Sequence, residues 1–113
     1  MISYSQVVNL HSQLEKLELC SAGILHDDLL QSAISGQSWY TNVLEQRIHV
    51  AFSINAFHVF NDGNKRTSFL VLKDLFTSRY LFNDELLTNA ILDLSRSEID
   101  KDEFTEQVKN ATL

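Results

Sequence analysis

The stretch FHVFNDGNKRTSFL, residues 57–70, decides how the rest of the chain is read. An apolar run reaches His58, the chain turns through Asn61, Asp62 and Gly63, and a second apolar run begins behind Asn64, Lys65 and Arg66. Upstream, Val43, Leu44, Ile48, Ala51, Phe52, Ile54 and Phe57 cover most of the circumference of a helix expected over 42–58, with Thr41 as its cap. Downstream, NKRTSFLVLKDLFTSRY predicts a helix over 64–80 with Phe69, Leu70, Val71, Leu72, Leu75 and Phe76 on an equally wide apolar face. Two such helices in succession predict a central pair wrapped by the others.

The flanks are helical too. Ser3 and Gln6 have the spacing of a capping box, and Val7, Val8, Leu10, Leu14 and Leu17 follow the 3.6-residue period. Ser-Ala-Gly at 21–23 breaks that helix; Asp27 or Asp28 is expected to cap a short second one ending near Gly36. GQSWYT has no helical period, and Trp39 and Tyr40 are expected to fold under the domain as core. Asn83 or Asp84 opens a fifth helix through Leu94, and the pair Asp100 and Glu103 repeats the capping-box spacing before a sixth with Phe104 and Val108. The fold class expected is all-α: one domain over 1–113, about six helices around the central pair.

Composition fits. The 113 residues are 44% hydrophobic with seven Phe, no Pro and three Gly, enough for one real core and unlike a disordered or turn-dense chain. The single cysteine, Cys20, excludes an internal disulfide framework and reads as a small core hydrophobe. The first twenty residues lack a basic leader followed by an apolar block, and no run approaches the roughly 18 apolar residues of a membrane span. A cytoplasmic protein without membrane contact is expected.

The net charge of −6 is uneven: residues 1–40 carry one Lys against four acids, 41–80 five Lys or Arg against three, and 81–113 three against eight. Direct nucleic-acid binding needs a broad basic face, which this distribution lacks. A compact anion held by the central third fits better.

The turn offers the parts of a phosphate-handling site. A helix start leaves backbone N–H groups unpaired and carries partial positive charge, and Gly63 lets a ligand approach the backbone closely. A phosphate there would meet N–H groups, the Asn64 amide, the Lys65 ammonium and the Arg66 guanidinium. Asp62 can supply an oxygen to Mg²⁺, which commonly sits between one or two carboxylates and substrate phosphates. Imidazoles titrate near neutrality, so His58 at the end of the preceding helix can take a proton from an attacking hydroxyl. Phe60 is expected to bury its ring and fix the loop. Each part also has a structural reading: a dipole-favoured acid, a turn glycine, solvated cations, a packing histidine. Their joint order is what points to chemistry.

That order, HVFNDGNKRT, resembles the His-x-Phe-x-Asp/Glu-Gly-Asn-Gly/Lys-Arg signature of the Fic/Doc family, and more closely its Doc (death-on-curing) branch, where Lys follows Asn. SYSQVVNLHSQL is similar to the first Doc helix, and AGILHDDLLQSAI to the Gly-x-x-Asp-x-x-Leu-Leu-x-Ser-Ala segment. The resemblance implies that His58 is catalytic, Asp62 directs Mg²⁺, and Gly63, Asn64, Lys65 and Arg66 hold the phosphates of ATP. Lys65 stands where AMP-transferring members have Gly, and Phe69 where they have a second Arg. A bulky cation replaces open backbone and one phosphate clamp is lost, so the nucleotide cannot sit as it does in an adenylylating enzyme. The implied activity is that of a Doc-type toxin kinase, placing the γ-phosphoryl of ATP on a threonine of elongation factor Tu and arresting translation. The resemblance also implies a small antitoxin whose disordered tail folds onto the toxin. Thr41–Gln46, TNVLEQ, is the nearest match to the built-in inhibitory motif of Fic enzymes and reads as ordinary helix. AMP transfer and a non-catalytic partner-binding module are the alternatives. A helical zinc site is not expected, because His11, His26, His49 and His58 lack the i, i+4 spacing.

Overall fold

The computed structural model describes residues 1–74 and 81–113. Among them are six α-helices and no β-strand: α1 (Tyr4–Lys16), α2 (Asp27–Gly36), α3 (Val43–Ala56), α4 (Asn64–Lys73), α5 (Asp84–Ser95) and α6 (Lys101–Asn110), with a 3-10 turn over Gln37–Trp39. The fold is all-α, as the periodicity predicts.

Helix starts follow sequence chemistry closely. Ser3 and Gln6 form the reciprocal capping box of α1, and Asp100 and Glu103 that of α6. Asn83 caps α5 by accepting the Leu86 N–H. At α3 the cap is Asn42 rather than Thr41, its side chain accepting the Glu45 N–H at 3.1 Å. At α2 neither aspartate is the cap. His26 holds that position without a side-chain hydrogen bond, and Asp27 and Asp28 lie in the first turn, where the helix dipole favours them.

α3 and α4 pack most extensively on each other and form the central pair. Leu44, Ile48, Val50, Ala51 and Ile54 of α3 meet Val71 and Leu72 of α4 in one core, joined by Val7, Leu30, Leu87, Ile91, Phe104 and Val108 from the remaining helices. Arg47, buried in α3, donates to the carbonyls of Val71 and Asp74, so a cation caps the carbonyl end of α4. The helix expected over 64–80 ends at Lys73, and 75–80, with Leu75 and Phe76, lie outside the described residues.

Trp39 is not core: it is 88% exposed. A three-residue 3-10 turn directs one side chain inward, and here that is Gln37, whose amide accepts from Ile2 N and donates to the carbonyls of Ile2 and Ile34. Tyr40 is half-buried and its hydroxyl accepts from Lys101 at 2.9 Å. Leu17, placed by period on the buried stripe of α1, is exposed as the helix C-cap.

The exits of α1, α3 and α5 share one device. Each ends in a Schellman turn whose left-handed residue is not glycine: Glu18 (φ 58°), His58 (φ 49°) and Ser97 (φ 58°). The closing bonds run Leu19 N to Leu14 O, Val59 N to Ile54 O and Glu98 N to Asp93 O. All three exits lie at the end of the bundle where α4 begins, since Leu19, His58, Ser95 and the first residues of α4 line one cavity.

Candidate active site

His58 leaves α3 in the left-handed conformation, which turns the chain sharply and leaves its imidazole exposed. Val59 and Phe60 then drop into the core, Phe60 as expected. The Phe60 ring lies flat on His11 of α1, with centroids 3.9 Å apart and planes 7° from parallel. His11 is itself buried; its Nδ1 faces Glu15 Oε1 at 2.9 Å and its Nε2 faces the Asp62 carbonyl at 2.8 Å. The loop is thus held from below by a side chain of α1, far from it in sequence.

Backbone pairing holds it from the side. Asn61 N–H donates to Gly23 O at 3.0 Å, and Leu25 and His26 N–H both donate to Val59 O. The Asp62 carboxylate accepts the Ser21 N–H at Oδ2 and the Gly63 N–H at Oδ1, each at 2.9 Å. These two bonds, Ser21 first, hold its pKa below the usual carboxylate value, with smaller help from Arg66 and His11 and against slight desolvation. Asp62 is therefore ionised at neutral pH.

Gly63 has φ 80° and is the N-cap of α4, with no side-chain hydrogen bond there. The left-handed backbone and the closeness of Cys20 both require glycine, since a Cβ would lie 2.8 Å from Cys20 Cβ. Cys20, expected in the core, is instead half-buried against this glycine, and burial followed by the charges of Asp62 and Glu15 pushes its thiol pKa up. It packs as a neutral thiol.

Asn64, expected to offer its amide to phosphate, spends both ends of it on the loop: Oδ1 accepts Phe60 N–H and Nδ2 donates to Phe60 O, both at 2.9 Å. What it presents to a ligand is the main chain at the opening of α4. Arg66 donates to Leu19 O at 2.7 Å, bridging α4 to the end of α1. Lys65 is exposed.

His58, Asp62, Gly63, Asn64, Lys65 and Arg66 all line one cavity of ≈ 620 Å³, so the expected site residues are gathered in one place. The same cavity takes in residues that sequence reasoning missed, among them Arg96 and Asn55. Arg96 comes from the end of α5, and Asn55 lies one turn before His58. Asn55 is buried, donates to Ile91 O at 3.0 Å and leaves its Oδ1 without a hydrogen-bond partner among the described residues. Nothing near residue 96 in the sequence signals a site, because only the packing of α5 on α3 and α4 brings it there.

No group of three or more His, Cys, Asp or Glu among the described residues is arranged to hold a metal ion. One ionised carboxylate beside an uncapped helix start nevertheless suits Mg²⁺, which takes few protein ligands and fills its shell from phosphate oxygens and water. The donor set fits a metal brought in with a phosphate ligand.

An all-α scaffold thus brings a glycine-led helix start, an ionised aspartate and an exposed imidazole onto one cavity. The family model described as "Fic/DOC family" matches residues 2–75, and the chain belongs to that family, whose members are typically transferases. No curated protein and no solved structure matches the chain. No helix among the described residues is long and apolar enough to cross a membrane.

Proposed function

We propose that the protein is a Doc-type kinase toxin, transferring the γ-phosphoryl group of ATP to a threonine of elongation factor Tu and so arresting translation. The observation that carries the reading is the clustering of His58, Asp62, Lys65 and Arg66 around one cavity at the uncapped start of α4. The α4 N–H groups, Lys65 and Arg66 bind the phosphates. Asp62 would hold Mg²⁺, whose chemistry there would be charge neutralisation at the phosphates. His58 accepts the threonine hydroxyl proton as the oxygen–phosphorus bond forms and ADP leaves. Lys65 in place of a glycine, with Phe69 three residues beyond Arg66, favours phosphoryl over AMP transfer.

A small antitoxin is the proposed partner. A second cavity of ≈ 380 Å³ between α1, α4 and α5 is mostly apolar, lined by Leu14, Phe69, Leu70, Ile91 and Leu92 together with Lys65 and Arg66. An amphipathic segment with apolar anchors and acidic flanks suits it.

Incubation with elongation factor Tu and γ-labelled ATP tests the activity. Label on the factor with wild type, at least about a hundredfold less with His58→Ala, is the expected result. Label from α-labelled ATP in its place establishes AMP transfer instead, and no label from either overturns the transferase reading for this target.

A further inference from the structure

The cavity around the motif is lined by three cations, Lys65, Arg66 and Arg96, against one carboxylate, Asp62. That local excess of two positive charges sits in a chain of net charge −6. The three cations are not equivalent. Lys65 and Arg66 stand on the first turn of α4, and Arg66 already donates to the Leu19 carbonyl. Arg96 comes from a different element, as the C-cap of α5, and its side chain makes no hydrogen bond or ion pair among the described residues. Its backbone is held firmly: its own N–H donates to Leu92 O, and the Schellman turn closes with Glu98 N on Asp93 O at 3.0 Å. A long, unengaged guanidinium on a fixed stem, facing a cavity whose floor is an anion-binding helix start, matches a ligand with negative charge at both ends of its bound length.

We propose that Arg96 is a phosphate-binding residue of the site, clamping the phosphate chain of a nucleoside triphosphate from the α5 side while the start of α4 holds it from the other. The inference rests on the nucleotide reading above and adds a residue and a direction to it. A single phosphate is satisfied by the N–H groups of α4 with Lys65 and Arg66. A phosphoanhydride chain extends beyond them, and its remaining charge needs a donor on a second element. Arg96 is the cation on that element. The clamp also explains how a chain with Phe at position 69 holds a polyphosphate, since its second guanidinium comes from α5 rather than from α4.

The test is calorimetric binding of ATP and of AMP, each with Mg²⁺, to the full chain carrying either Arg96 or the Arg96→Gln substitution. The expected result is about tenfold weaker ATP binding in the variant, equivalent to ~1.4 kcal/mol, with AMP affinity changed by less than about twofold. Arg96→Lys recovers part of the ATP affinity. The thermal midpoint stays that of wild type, because the exposed side chain has no partner to lose among the described residues. ATP binding equal to wild type in Arg96→Gln overturns the inference, and so does an equal loss of ATP and AMP. If wild type binds neither nucleotide, the nucleotide reading itself falls and Arg96 loses its role with it. Binding that depends on Arg96 without any transfer to elongation factor Tu leaves the clamp standing and overturns only the proposed target reaction.

Discussion

His58 occupies a conformation in which glycine is the common choice, since at φ 49° the Cβ of any other residue crowds the backbone. A sequence free to optimise stability would place glycine there; this one keeps an imidazole. His58→Gly is accordingly expected to raise the unfolding free energy, by about 1 kcal/mol or less, while abolishing label transfer. Thermal or urea unfolding beside the transfer assay checks both halves, and a destabilised His58→Gly would contradict the strain argument. Asp62 makes an opposite case, a side chain whose charge stabilises the loop it serves. Its pKa is lowered on folding, so its contribution is present above the ordinary carboxylate value of about 3.9 and is lost as pH falls through the lower folded value. The stability gap between wild type and Asp62→Asn should therefore be widest near neutrality and close between about pH 5 and pH 2, which unfolding curves across that range would show.

At the scale of elements, the motif loop is a joint between α3 and α4 fastened to α1 and to the segment before α2. His11 is the central fastening, stacked under Phe60 and bonded to the Asp62 carbonyl. His11→Ala removes a buried ring and leaves that carbonyl without its donor, at a cost of about 2–4 kcal/mol. His11→Phe keeps the ring and loses only the polar ties, so it should recover roughly half of that loss in a denaturant titration. Gly63→Ala strikes the same joint from above: a Cβ would sit 2.8 Å from Cys20 Cβ on a backbone at φ 80°. It should cost at least about 1 kcal/mol and weaken ATP binding, because the start of α4 has to shift. The helix starts were legible in the sequence because capping is local chemistry, as at Ser3, Asn83 and Asp100. The exits were less so, since Leu17 keeps the buried period yet caps a Schellman turn in solvent.

Across the whole molecule, α6 is tied to α3 and to the turn after α2 by one cationic side chain. Lys101 Nζ lies 2.8 Å from His49 Nδ1 and 2.9 Å from the Tyr40 hydroxyl, and 5.3 Å and 5.6 Å from the ring centroids of Tyr40 and Phe52. The arrangement requires a neutral His49, and burial followed by the Lys101 charge lowers its pKa. A histidine with a depressed folded pKa contributes stability above its ordinary value of about 6.5, and that contribution is lost as pH falls through the folded value. The thermal midpoint of wild type should therefore fall on acidification from about pH 7.5 to pH 5.5, more steeply than that of His49→Gln. Parallel slopes in the two proteins would show that His49 is not responsible.

Sequence by itself determined the helical class, the central pair and the placing of His58, Asp62, Gly63, Lys65 and Arg66 around one turn, because period, capping and turn residues act between near neighbours. Only the tertiary structure decided what each group does with its bonds. Asn64 turns its amide to Phe60, His11 reaches the loop across fifty-one positions, Trp39 stays in solvent while Gln37 goes inward, and Arg96 arrives at the motif from α5. Those outcomes depend on which helix ends meet in space, and no periodicity along the chain encodes a meeting between residues so far apart.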